Sequence, residues 1–204
     1  MMGINQIYVR PIKALGQNFL ISDDIAKAEA AHSLGKNVLE LGPGYGMLTK
    51  ELCRHAKKVV AVEKDPNLYL FLKTEMHSRK LKLVNKDFFD ASAEEMELDS
   101  IDIMISNIPY NLSSKVIGWL SDHSMQAVLC LQKEFVDHML AKCGSDKYSK
   151  LSVISELSFS TTRIMNVSRN CFMPAPRVDS AIIYLKPKEK RISKESSFMI
   201  NLLM

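Results

Sequence analysis

Asn107-Ile108-Pro109-Tyr110 places an amide oxygen, a main-chain carbonyl followed by a proline, and an aromatic ring in four consecutive residues. These are the parts needed to handle the exocyclic amino group of a purine such as adenine. That nitrogen is a poor nucleophile, because its lone pair is delocalised into the ring. Two acceptors, the Asn107 side chain and the Ile108 carbonyl, would draw the amino hydrogens out of the ring plane, while Tyr110 stacks on the base. Chemistry of this kind is positioning and electrostatics, and it requires no strongly basic side chain. Taken alone, Asn-x-Pro-Tyr is an ordinary turn. Its meaning depends on the residues that precede it.

Those residues come in a telling order. Glu40-Leu41-Gly42-Pro43-Gly44-Tyr45-Gly46 lies between a short apolar strand pattern and a helical one. Glycines at such a point let a ligand approach the backbone, and the helix start supplies free N–H groups. A dinucleotide fingerprint would put its third glycine at position 47, which is Met47. Alternating glycines with an acid two residues before the first match the pattern of S-adenosylmethionine sites instead. Glu63 ends the next strand pattern, where an acid can accept from both ribose hydroxyls. Asp87 follows the third strand and could accept from an adenine amino group. In isolation, a glycine turn and two strand-end acids would be structural; in this order they describe a nucleotide-type cofactor site.

The elements that must hold these residues can be predicted from apolar spacing. Strands are expected at Asn37–Leu41, Lys58–Glu63, Leu81–Val84, Ile101–Ser106 and Ala127–Leu131. Helices are expected from Ser22 (a pattern of Ile25, Ala28, Ala31 and Ser33–Leu34 up to Gly35), from Tyr45 to His55, from Pro66 to Ser78, from Asn111 to Leu120, and over Phe135–Ala141. Strand-like stretches at Val153–Val167 and Ser180–Leu185 should pair as an antiparallel hairpin at one edge, joined by a short loop with Pro174 and Pro176. Alternating strand and helix predicts a mainly parallel sheet covered on both faces.

At 204 residues, 47% hydrophobic and 25% charged, the chain has the size and core of one globular domain, which excludes disordered and fibrous classes. No apolar run approaches the roughly 18 residues of a membrane span. The four cysteines (Cys53, Cys130, Cys143, Cys171) form no Cys-x-x-Cys pair and suit a reduced cytosolic protein. The five histidines show no metal-ligand spacing, so no metal is expected. The net charge of +4 is concentrated. Lys186, Lys188, Lys190, Arg191 and Lys194 face one acid, Glu189; a second cluster is Arg79, Lys80, Lys82 and Lys86; Arg10 and Lys13 lie in the leader. Such patches are compatible with a polyanion, although charge alone favours a solvated surface and a tail.

With these motifs together, the chain resembles the rRNA adenine N6,N6-dimethyltransferase family, the small-subunit enzymes related to the macrolide-resistance methyltransferases. The match is carried by Leu15-Gly16-Gln17-Asn18-Phe19-Leu20, the glycine turn, Glu63, Asp87, Asn107–Tyr110 and the stretch Phe172-Met173-Pro174-Ala175-Pro176-Arg177-Val178-Asp179-Ser180-Ala181. The resemblance implies an α/β, Rossmann-like class I S-adenosylmethionine-dependent methyltransferase with a mainly parallel seven-stranded sheet and an antiparallel edge hairpin. Residues 1–187 would be the catalytic domain, and 188–204 a linker with the start of a helical C-terminal domain, opened by Phe198.

By the same resemblance, Asn18, Leu20, Gly42, Glu63, Asp87 and Asn107 line the cofactor site, with Gln17, Gly44, Lys64 and Phe88 beside them. Phe172 would cover the other face of the target base, joining Asn107, Ile108, Pro109 and Tyr110 in catalysis. From the residues alone, Gln17–Leu20 is a loop entering a helix and Phe172 a packed loop aromatic. The implied reaction is dimethylation of N6 on two adjacent adenosines near the 3′ end of small-subunit rRNA. The implied partner is rRNA within an assembling subunit, met by a cytoplasmic monomer that engages no membrane. Lys86 stands where the family has glycine before the acid. Two rival readings are a macrolide-resistance-type enzyme acting on large-subunit rRNA and a non-catalytic rRNA-binding assembly factor. Gly42-Pro43-Gly44 and the long Phe172–Ala181 match favour the small-subunit branch over the first, and the intact Asn107–Tyr110 motif opposes the second.

Overall fold

The computed structural model describes residues 16–188. The leader with Arg10, Lys13 and Leu15 lies outside the described residues, as do Glu189, Lys190, Arg191, Lys194 and the Phe198 segment. In chain order the elements are β1 (Phe19–Leu20), α1 (Asp23–Ala30), β2 (Asn37–Leu41), α2 (Met47–His55), β3 (Lys58–Glu63), α3 (Pro66–Glu75), β4 (Leu81–Asn85), β5 (Ile103–Asn107) and α4 (Ser113–Asp122). They continue with β6 (Ala127–Gln132), α5 (Lys133–Met139), α6 (Lys150–Ser158), β7 (Phe159–Val167), β8 (Phe172–Met173) and β9 (Ser180–Pro187). Among the described residues no helix is long and apolar enough to cross a membrane.

Seven strands form one sheet in the order β4-β3-β2-β5-β6-β9-β7. The first five are mutually parallel, and β9 inserts antiparallel between β6 and β7. The expected edge hairpin is therefore present. Side-chain alternation sends Val38, Ile103, Ile105, Val128 and Ile182 to one face, where Ala26, Ala30, Leu48 and Leu52 cover them. Leu39, Leu41, Met104, Leu129 and Ile183 point to the other face, against Val116, Ile117 and Leu120. Burying each such side chain contributes about 1.5–3 kcal/mol, so two-sided covering is what makes these strands continuous apolar runs.

The helix starts follow from local chemistry. The Ser22 side chain accepts from the Ile25 N–H, with Asp23 and Asp24 in the first turn. Asp65 caps α3 by accepting from the Asn67 N–H at 2.9 Å, with Pro66 in its first turn.

The structure corrects the reading in three places. Val153–Ser158 belongs to a helix and only Phe159–Val167 to a strand. The β-branched pair Val153-Ile154 suggests a strand, but the Ser149 N–H donates to Ser152 Oγ at 3.0 Å, and Leu151 and Ile154 pack at helical spacing on the core. Packing and capping outweigh propensity here. Next, Ala31 and Leu34 are exposed, and the buried residues of α1 are Ile25, Ala26, Glu29 and Ala30. Finally, the loop between β7 and β9 is not short. It contains β8, which pairs antiparallel with β1 through Phe19↔Met173 and Leu20↔Phe172.

Candidate functional site

The strand order reverses at β2, which has β3 on one side and β5 on the other. Loops leaving the carboxyl ends of these strands diverge there and open a crevice. The crevice is a cleft of about 210 Å³, and its lining includes Gln17, Asn18, Gly42, Gly44, Glu63, Lys64, Asp87, Phe88, Asn107, Ile108, Pro109, Tyr110 and Phe172. The residues singled out in the sequence thus converge from six segments, apart from Leu20. Leu20 is buried in the core and lines a smaller adjoining cavity with Glu40, Pro43 and Tyr45. The small β1–β8 sheet is the device that brings Asn18 and Phe172 to the same rim.

The glycine turn is shaped by two contacts. Gly42 has φ +64° and open space where a side chain would stand. Gly44, at φ +58°, has the Phe19 ring so close that an added Cβ would lie 2.8 Å from it. The Gly44 N–H donates to Glu63 Oε2 at 3.1 Å, and the Asp65 N–H donates to Oε1 at 2.9 Å. Glu63 is buried, not the exposed strand-end acid it would be in isolation. Burial raises its pKa to about 7, against the lowering effect of those two N–H groups. The Asn85 amide donates to the Glu63 carbonyl at 2.8 Å, tying the ends of β3 and β4 together.

Asp87 sits at the cleft edge, where Lys64 Nζ reaches Oδ2 at 2.8 Å and the Phe89 N–H donates to Oδ1 at 3.0 Å. The Lys64 ammonium holds the Asp87 carboxyl below the ordinary range, and the same contact raises Lys64. Gln17 donates to Asp65 Oδ2 at 3.3 Å, and the Asn18 amide donates to the Gly16 carbonyl at 3.2 Å. Phe88 is buried in edge contact with Trp119.

The Asn107–Tyr110 segment leaves β5 into the cleft. Asn107 continues the face of Ile103 and Ile105, so its side chain meets α1, and Nδ2 donates to Glu29 Oε2 at 3.1 Å. Its Oδ1 is buried with no hydrogen-bond partner, an arrangement that asks for a donor from a ligand. The Ile108 N–H is held by the Cys130 carbonyl at 3.2 Å, and the Tyr110 hydroxyl lies 2.8 Å from Ser180 Oγ. The aromatic ring is therefore anchored at its far end.

Several lining residues escape sequence reasoning. Leu41, Val62, Leu68, Cys130, Asn111 and Leu112 form apolar and polar wall, but as ordinary strand and helix residues they carry no chemical signal. Glu29 is different. It is fully buried, Oε1 has no partner, and burial raises its pKa to about 8. Its position four residues after Ile25 and three after Ala26 could have flagged it as an acid on the inward stripe. The second basic cluster is partly neutralised, since Lys82 pairs with Glu97 and Lys86 with Glu95.

Three buried carboxyls thus line or support the site: Glu29, Glu63, and Glu40, whose pKa burial also raises to about 8. Groups whose folded pKa exceeds the unfolded value stabilise the fold when protonated and lose that contribution as pH rises through the folded pKa. The melting temperature of the ligand-free protein is expected to fall from about pH 5 to pH 8 and to level off above that. A loss of 2 kcal/mol corresponds to about 4–8 °C for a chain of this size. Glu40→Gln should flatten the decline; an unchanged slope would show that Glu40 titrates normally. Asp137, held low by Arg163, contributes oppositely and only in acid.

Comparison with known proteins gives the same direction. A family model described as ribosomal RNA adenine dimethylase matches residues 11–200. A relative from Thermococcus sibiricus, named "Probable ribosomal RNA small subunit methyltransferase A", is 37% identical over 191 residues, covering 92% of this chain and 68% of its own length. The chain spans about two thirds of the length of the curated relatives it matches, 66% in others. A crystal structure of a dimethyladenosine transferase from Plasmodium falciparum superposes with a TM-score of 0.80 at 32% identity, over 91% of this chain and 69% of that one. The 23S rRNA methyltransferase ErmE superposes with a TM-score of 0.73 at 28% identity, over 91% of this chain and 78% of its own.

Proposed function

The chain belongs to the ribosomal RNA adenine dimethylase family, and from that premise we propose that it dimethylates N6 of two adjacent adenosines near the 3′ end of small-subunit rRNA. Its sheet is that of a class I methyltransferase. The observation that carries the reading is Asn107 Oδ1, a buried acceptor without a partner at the cleft wall. Such an atom calls for a donor, and an exocyclic amino group supplies one.

The cleft fits S-adenosylmethionine as methyl donor. Gly42 leaves open space for the amino acid part, and Glu63 offers acceptor capacity at the end of β3 for ribose hydroxyls. Asp87 lies further along, at the end of β4, and Gln17, Asn18, Gly44, Lys64 and Phe88 complete the wall. When bound, that cofactor supplies a methyl group on a positively charged sulfur. The chain's own residues do the rest by orientation. Asn107 Oδ1 and the Ile108 carbonyl accept the two amino hydrogens, Pro109 fixes the backbone between them and the ring, and Tyr110 and Phe172 flank the base. Extruding an adenine from its stack costs a few kcal/mol, and stacking on two aromatic rings offsets that cost. The partner would be rRNA in an assembling small subunit, with the protein acting in the cytoplasm as a monomer.

Tyr110→Ala is expected to lower turnover at least tenfold, since base–aromatic stacking is worth about 1–3 kcal/mol. Tyr110→Phe keeps the ring and should retain most activity, losing only the Ser180 contact. Equal turnover for Tyr110→Ala would remove the ring from the target site. The reading itself is tested by offering methyl-labelled cofactor with unmethylated small-subunit and large-subunit particles in parallel. Label in the small-subunit rRNA is expected. Label in the large-subunit rRNA alone would place the chain in the macrolide-resistance branch, and none in either would support a non-catalytic factor.

A further inference from the structure

Glu29 has no place in the site as read from sequence, yet its carboxylate accepts from the Asn107 amide. It lies on α1 at 0% exposure, among the helix's buried residues with Ile25, Ala26 and Ala30, which pack in the apolar cluster on that face of the sheet. An acid in such a place is costly unless it holds a specific partner. Its partner is Asn107, 78 residues away, whose Nδ2 donates to Oε2 at 3.1 Å. Glu29 is not part of the cleft wall. It touches the amide from behind.

An asparagine side chain can present either end to a ligand, because its oxygen accepts and its nitrogen donates. A carboxylate behind it removes that freedom, since it can only accept. It therefore holds Nδ2 and turns Oδ1 the other way, where Oδ1 is buried and has no partner. We propose that Glu29 is a positioning residue that fixes the Asn107 amide with its oxygen toward the incoming amino group, so that the adenine N6 hydrogens meet an acceptor. The opposite orientation would set an NH₂ against an NH₂. This inference rests on the reading of the site as an adenine N6 methyltransferase.

The positioning depends on ionisation. A protonated Glu29 can donate its own O–H to Asn107 Oδ1, and both amide orientations then become available. Among the described residues, the titratable groups that feel the charge of Glu29 are Glu40 on β2 and Cys130 on β6. The ionised Glu29 raises both of them, while its own pKa of about 8 comes from burial, against the lowering effect of the Asn107 amide.

Glu29→Gln is isosteric, can accept or donate, and mimics the protonated acid, so it should fold normally. The test compares kcat, KM for S-adenosylmethionine and melting temperature for the wild-type chain and Glu29→Gln from pH 6.5 to pH 9, on the same small-subunit particles. At pH 9 the variant is expected to have kcat lower by about tenfold, in the range that misplaced catalytic groups produce, with KM for the cofactor unchanged. The two should converge towards pH 6.5, where the wild-type carboxyl takes up its proton. Equal kcat at pH 9 overturns the proposal. So does a deficit that is constant with pH or matched by a rise in KM, which would assign Glu29 to the fold or the cofactor. Wild-type protein that transfers no methyl to adenine would overturn the parent reading, and this inference with it; an active wild type with an indistinguishable variant overturns this inference alone.

Discussion

Asn107→Ala is expected to reduce methyl transfer by about two to three orders of magnitude, the loss typical when one preorganised group of a polar catalytic site is removed. The cause is specific. The target nitrogen must have its hydrogens drawn aside before its lone pair is available, and Asn107 Oδ1 is a buried acceptor with no protein partner. Alanine leaves only the Ile108 carbonyl for two hydrogens. It also strands Glu29, whose Oε2 accepts from Asn107 Nδ2, so a lower melting temperature is expected as well. A buried group left without its partner costs about 1–3 kcal/mol. Turnover should therefore be measured well below the unfolding midpoint, together with binding of S-adenosylhomocysteine. The expected pattern is collapse of kcat with cofactor affinity changed only a few-fold. Parallel loss of both would make Asn107 chiefly a cofactor residue.

Glu63→Ala should act at the other end of the cleft. Hydrogen bonds to a charged acceptor contribute about 1.5–3 kcal/mol each, so loss of the ribose contacts should weaken S-adenosylhomocysteine binding about a hundredfold or more. The structure adds a second reason. Glu63 receives the Gly44 and Asp65 N–H groups, and so it also shapes the turn that the cofactor would lie against. Calorimetric titration with S-adenosylhomocysteine, at a pH above 7 where Glu63 is ionised, reads the effect. Affinity within a factor of three of wild type would remove Glu63 from the site.

The parallel half of the sheet was legible because its strands are apolar runs bounded by turns, and each expected strand from β2 to β6 is present. The cleft was equally legible. Gly42, Glu63, Asp87 and Asn107 announce themselves by type, and the crossover rules put strand ends together. What was illegible has physical reasons. Two-residue strands such as β1 and β8 carry no period, so the pairing of Leu20 with Phe172 could not be read from spacing; only the family resemblance assigned Asn18 and Phe172 to one site. Val153-Ile154 misled because β-branched residues suit both a strand and a capped, packed helix. Glu29 was hidden by its type, since an acid on a short helix is expected to face water. Its role becomes visible only when β5 alternation places Asn107 against α1.

On the proposed function, methyl groups go to adenine N6, twice, on neighbouring nucleotides. Mass spectrometry of nucleosides and oligonucleotides tests it most directly, on small-subunit rRNA recovered after incubation of particles with this chain and isotope-labelled S-adenosylmethionine. Labelled N6,N6-dimethyladenosine is expected at two adjacent positions near the 3′ end, and none with Asn107→Ala. Label on another atom of adenine, on another base, or at one isolated adenosine would contradict it.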